Sequence, residues 1–287
     1  MYILDESEFE LLSSNATVED YPAWDSDSTY DTDDRVIYNN RVYKSLVDDN
    51  GEEPGTGLNW FDEGATNPYK CIDEYINTQT INEDDLVMEF SFTNADTIAF
   101  FNVYAKAVKI EIYDTNDNLI GTIEKDLLTN VNSWEDYFYR KEEYIERFFI
   151  RGAFMLVGKL KITLYKADDV KVGILQIGSA SDLGLTLEDV KSDIDDYSKK
   201  DIDENGNVYL KQGNYADRLD CKVICATSKF NTIRNRLIKT RGKAFTWIAS
   251  EDDKFRELNL YGYYESFSIS VDNPEMLTCS LSLRGLV

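Results

Sequence analysis

Apolar and polar residues alternate along most of this chain. In "LVMEFSF", Leu86, Met88, Phe90 and Phe92 fall on one side of a period-2 pattern, which predicts a strand buried on one face. "AVKIEIYD" repeats the pattern with Val108, Ile110 and Ile112, and "GKLKITLYK" repeats it with Leu160, Ile162 and Leu164. "YDTNDNLIG" places Asn and Asp at turn positions and predicts a hairpin. "AFTWIAS", "ELNLYGYYESFSISV" and "LTCSLSLRGLV" read as further strands. Helical spacing is clear in "TSKFNTIRNRLIKTRG", where Phe230, Ile233, Leu237 and Ile238 share a face, Ser228 is placed to cap the start and Gly242 to stop the helix. The expected fold is mainly β with one amphipathic helix near 228–241.

Nearer the start, "RVIYNNRVYKSL" alternates around an Asn-Asn pair and reads as a very small hairpin within an aromatic unit, Tyr21 to Gly64. A unit below about 50 residues has little core and depends on a few large rings. Trp24, Tyr30, Tyr43 and Trp60 are expected to form it. The chain then divides into an N-terminal segment (1–16), a small three-stranded module (17–68), a β-sandwich (69–175) and a β-rich α+β C-terminal domain (176–287).

Composition narrows the function. A formal charge of -24 and a pI near 4.3 argue against nucleic acid, which is held mainly by Lys and Arg neutralising phosphates. The absence of His removes Ser-His-Asp and Cys-His catalysis and histidine metal ligation. Four Cys show no C-x-x-C spacing; Cys221 and Cys225 in "CKVIC" would lie about 13 Å apart on one strand face, too far to bridge. All four are expected to be reduced and buried. With 54 Asp and Glu a catalytic carboxylate pair can always be imagined, and no segment is long enough for a glycosidase barrel beside the modules. No enzyme activity and no cofactor are expected. The opening "MYILDESEFELL" has no basic residues followed by an apolar run, and no apolar segment approaches the roughly 20 residues that span a bilayer; synthesis in the cytoplasm without membrane insertion is the expectation.

Three further features have two readings each. "DIDENGN" begins like a calcium loop with Asp201, Asp203, Asn205 and Gly206, but Gln212 stands where a bidentate Glu would close it, so a hairpin turn without metal is preferred. Lys229, Arg234, Arg236, Lys239 and Arg241 form a basic stripe on the helix, either a solvated face or a subunit interface on the acidic surface of a neighbouring copy. Trp134, Tyr137, Phe138 and Tyr139 are either core or stacking platforms at a loop end.

The small unit also carries a recognisable order: Ala23, Trp24, Tyr30, Asp34, Val36, Tyr38, Tyr43, Gly51, Pro54 and Trp60. This resembles the small chitin-binding type of carbohydrate-binding module. The resemblance implies sugar-facing rings, for which Tyr21, Tyr38 and Trp60 are the candidates, although Leu46 and Val47 stand where the chitin binders place two adjacent Trp. "NPYKCIDEYINTQT" is similar to the start of galactose-binding-like jelly rolls. From "VKVGILQIGSASDLGLTLEDV" to "YGYYESFSISVDNPEMLTCSLSLRGLV" the chain resembles tailed-bacteriophage tail structural proteins that carry an N-terminal carbohydrate-binding-like module. That resemblance implies a virion component of the tail tip, baseplate or adaptor region. Its partners would be other phage tail proteins, further copies in a ring or tip assembly, and host surface glycan. The alternative is a polysaccharide-binding accessory or depolymerase protein.

Overall fold

The computed structural model describes residues 1–129, 143–152, 157–204, 206–271 and 273–286; Trp134, Tyr137, Phe138 and Tyr139 lie outside them. Strand accounts for 54% and helix for 9%, so the mainly β fold predicted by the alternation is the one observed.

A five-stranded antiparallel sheet runs β10 (Leu119–Asp126), β9 (Ala107–Tyr113), β12 (Val157–Tyr165), β7 (Leu86–Thr93) and β2 (Phe9–Ser14). Leu86, Met88, Phe90 and Phe92 of β7, Val108, Ile110 and Ile112 of β9, and Leu160, Ile162 and Leu164 of β12 are all buried in one core. The predicted β9–β10 turn forms, its Asp114 carboxylate accepting the Asn116 and Asn118 amides at 2.8 and 2.9 Å. The opposite wall of the sandwich consists of β6 (Thr80–Asn82), β8 (Thr97–Tyr104), β11 (Phe148–Arg151) and β13 (Val170–Asp182).

That second wall does not end with the sandwich. β1 (Tyr2–Glu6) pairs antiparallel with β13 on one side and with β19 (Phe245–Ile248) on the other, and the sheet continues through β20 (Leu260–Val271), β21 (Met276–Gly285) and β18 (Tyr215–Ala226). Short strands β14 (Leu185–Thr186) and β15 (Lys191–Asp196) pair with β18. Among the described residues eleven strands thus form one sheet. β8 and β13 are buried on both faces: Phe100 and Leu175 point into the sandwich core, while Phe101 and Ile174 pack with Leu4 and Tyr261 on the other side. Gly178 of β13 permits this crowding, since a Cβ there would lie 2.2 Å from the Asp5 carbonyl oxygen of β1. Residue 175 falls within β13, and residues 1–16 supply one strand to each of the two sheets.

The C-terminal core gathers Trp247, Leu260, Leu277, Leu281 and Leu283 under the helix α1 (Phe230–Lys239). Ile233 and Leu237 are the buried residues of α1 and Phe230 packs at the margin, but Ile238 is exposed. It follows Leu237 by about 100° around the helix and so faces outward. Ser228 does not cap the helix: a 3-10 turn, Thr227–Lys229, leads into it and no side-chain cap is made. Gly242, at φ 71°, sits just past the end as expected. All four cysteines are free and buried; burial raises the Cys71 and Cys279 thiols to about 11 and Cys221 to about 12.

Candidate functional site

The small module is built on β3 (Arg35–Tyr38), β4 (Arg41–Ser45) and β5 (Trp60–Ala65). Asn39 and Asn40 join the first two strands at φ 48° and 61°. Positive φ at both loop positions is the requirement of the type I′ turn that matches strand twist, and Asn tolerates it. Val36, Tyr43 and Trp60 are buried together, with Trp24, Tyr30 and Tyr38 packed around them. Tyr30 meets Trp60 edge-on at 5.5 Å and Tyr38 meets Trp24 at 5.2 Å.

This packing separates the three candidate sugar rings. Trp60 is only 7% exposed and donates its indole N–H to the Glu52 carbonyl at 2.7 Å; it holds the module together and offers no ring face. Tyr38 is half-buried against Trp24, and its hydroxyl donates to the Glu53 carboxylate. That hydrogen bond is the main reason its phenol is raised above the usual range. Tyr21 alone of the three is exposed, and the Arg35 guanidinium lies 5.9 Å from its ring centroid.

A second exposed ring, Phe61 at 55%, was not among the candidates. Its strand neighbour Trp60 points inward, so period-2 alternation turns Phe61 outward. Across the sheet Phe61 faces Lys44, and Lys44 faces Arg35. Arg35 is held flat by a bidentate pair with Glu63 at 2.8 and 3.0 Å. The outer face of the module therefore presents Tyr21, Arg35, Lys44, Phe61 and Glu63 in one row. Two strand spacings, about 10 Å, separate the strands of Phe61 and Arg35. Two rings flanking charged donors and acceptors suit a short oligosaccharide, whose apolar C–H faces stack on rings while its hydroxyls take hydrogen bonds.

Glu19 anchors this module on the sandwich. Its carboxylate accepts the Asn67 backbone N–H at 2.9 and 3.1 Å and the Lys70 ammonium at 3.0 Å, while the Asn67 side-chain amide donates to the Thr17 and Ile81 carbonyls at 2.9 Å. Burial alone would raise the Glu19 carboxyl; the Asn67 amide and Lys70 outweigh it and hold the group below its ordinary range.

The basic stripe of α1 is partly spent within the chain. Lys229 pairs with Asp182 at 2.8 Å and Arg236 with Asp5 at 2.6 Å. Arg234, Lys239 and Arg241 are exposed, and among the described residues no carboxylate lies within ion-pair distance of them.

The hairpin expected at "DIDENGN" stands beyond β15. Among the described residues β16 (Lys199–Ile202) and β17 (Val208–Lys211) pair only with each other, as an exposed arm. Arg284 of β21 fixes its base by contacts to Asp195 at 3.0 Å and the Tyr197 hydroxyl at 2.5 Å. The tip is the "DIDENGN" segment. Within it Asp203 accepts the Asn207 backbone and side-chain N–H groups at 2.8 and 2.7 Å. In register, Ile202 opposes Val208 and Lys200 opposes Leu210, so these four share one face of the arm. Ile202, Val208 and Leu210 are 71%, 59% and 72% exposed.

No family model matches the chain, and no curated protein matches it. Among solved structures, a Streptococcus pneumoniae fucose-binding module, SpX-3, aligns with 35% of this chain and 72% of its own at 15% identity and a TM-score of 0.24. That protein is a distant carbohydrate-binding neighbour, and at this TM-score the likeness carries no argument about fold or ligand.

Proposed function

We propose that the chain is a structural component of a bacteriophage tail, in the tip, baseplate or adaptor region. In this reading the sandwich and C-terminal domain form a body that assembles with further copies and with other tail proteins. The small module is displayed outward, where Tyr21 and Phe61 meet host surface glycan. The chain is then an assembly protein and not an enzyme.

The observation that carries the reading is the arm. An isolated two-stranded hairpin is marginal in water, and this one turns Ile202, Val208 and Leu210 into solvent on a single face. A surface of that kind is incomplete in the single chain and calls for a protein partner. The resemblance of the chain's order of parts to tail proteins supplies the kind of assembly.

The test is immunogold electron microscopy of purified particles with antibody against this chain, together with a glycan array probed with the full-length protein. Label at one end of the tail is expected, with array binding that Phe61→Ala or Tyr21→Ala reduces. Particles without label, and the chain recovered wholly as free protein after lysis, would overturn the structural role.

A further inference from the structure

The arm's apolar face has a counterpart elsewhere on the molecule. Between the segment around β14 and the 3-10 turn Asp253–Leu258 lies an open cleft of about 900 Å³. Leu185, Leu187, Val190, Ile248, Phe255 and Leu258 line it. Leu185 is 70% exposed and Phe255 55%. Glu188 and Glu251 stand among the same lining residues; Glu251 pairs with Arg151 at 2.8 Å, whereas among the described residues Glu188 has no ion-pair partner.

From this match we infer that the arm of one copy seats in the cleft of a second copy, Ile202, Val208 and Leu210 on Leu185 and Phe255, with Lys200 reaching Glu188. The inference rests on the assembly reading above and names its partner surface. Charge favours the pairing. Residues 199–211 carry three lysines against Asp201, Asp203 and Glu204, so the arm is formally neutral in a chain of -24. It can approach another copy without the repulsion that two acidic bodies feel, and its lysines meet a cleft bordered by carboxylates. The chain's own cleft is out of reach. From Val190 at the cleft to Ile202 the arm carries twelve residues of extended chain, about 40 Å, and β15 is held on β18 along the first half of that path. A contact between two different surfaces is head-to-tail, and it closes into a ring when the rotation between copies permits.

The experiment is disulfide trapping with full-length protein. All four native cysteines are buried, so an exposed cysteine pair reports the contact. Leu210→Cys and Leu185→Cys are made as separate variants and mixed under mild oxidation. Both sites are exposed, and circular dichroism identical to the unsubstituted protein confirms folding. A disulfide-linked dimer in the mixture, absent when Leu210→Cys is mixed instead with Ile120→Cys on the far sheet, is expected. In sedimentation, Leu210→Asp and Leu185→Asp should each weaken self-association about tenfold or more. If Leu210→Asp abolishes association while Leu185→Asp and Phe255→Asp leave it intact, the cleft is not the acceptor and this inference falls, with the assembly role standing. An intrachain disulfide in the Leu185→Cys/Leu210→Cys double variant, without dimer, means that the arm folds onto its own cleft and also overturns the inference. A chain that stays monomeric at hundreds of micromolar and shows no trapped dimer overturns both.

Discussion

Trp60 and Phe61 are adjacent in the chain and opposite in role, because successive residues of a strand face opposite sides. Trp60→Ala removes the largest ring of a three-residue core, and a loss of about 3–5 kcal/mol is expected, enough to unfold so small a module; loss of its tryptophan near-ultraviolet dichroism is the measurement. Phe61→Ala should leave the melting curve unchanged and lower glycan binding. Both assignments are legible in the alternation of "NWFDEG", whereas the resemblance to chitin binders implies a role for Trp60 and none for Phe61. Tyr38 shows the same limit: its place in the strand is readable, its contact with Trp24 is not. Glu19 yields a pH prediction. Its folded carboxyl is held below the ordinary range, so its contribution to stability is complete above the unfolded value near 4.3 and is lost as pH falls through the folded value. Melting temperature measured downward from pH 5 should therefore fall more steeply for the unsubstituted chain than for Glu19→Gln; parallel curves would remove Glu19 as the anchor.

At the scale of the element, α1 and the arm carry exposed surface of opposite kinds. Reversing Arg234, Lys239 and Arg241 to Glu should change the melting temperature little, since exposed charges away from partners usually matter within about 0.5 kcal/mol. Arg236→Glu should be distinctly worse, because it places a second carboxylate against Asp5 of β1. If the triple variant is as destabilised as Arg236→Glu, the three exposed residues are holding the fold. The helix was legible from its 3.6-residue spacing and its stop at Gly242. Its start was not, because the chain enters through a 3-10 turn and Ser228 makes no cap. The hairpin of the arm was legible from its Asn-Gly turn, but its exposed apolar face was not. "KKDI" and "VYLK" are too short for periodicity to say whether their apolar residues face a core or solvent, and only the register reveals one shared face.

For the whole molecule, the decisive strand is β13. A strand buried on both faces reads as a near-continuous apolar run, and "VGILQIG" does so apart from Gln176, whose side chain accepts from the Thr246 hydroxyl; this marks burial without saying that two cores share it. The four-part division of the sequence puts a boundary at residue 175, inside β13. We predict that fragments 1–175 and 176–287 each fail to fold, as judged by flat thermal melts, whereas the full chain shows one cooperative transition for sandwich and C-terminal domain together. Separate, soluble, cooperatively melting fragments would contradict it.

The position of β1 sets a schedule. Its five residues are made some 240 residues before the last residue of β19, Ile248, yet they lie between β13 and β19. At about 5–20 residues per second, some 240 residues of synthesis amount to roughly 12–50 s during which this strand has neither neighbour or only one. Tyr2, Ile3 and Leu4 spend that time as an unpaired edge beside an emerging chain. The large sheet can close only once the chain through Ile248 and the strands beyond it have been made, which makes β1 a segment on which a chaperone would have a long hold.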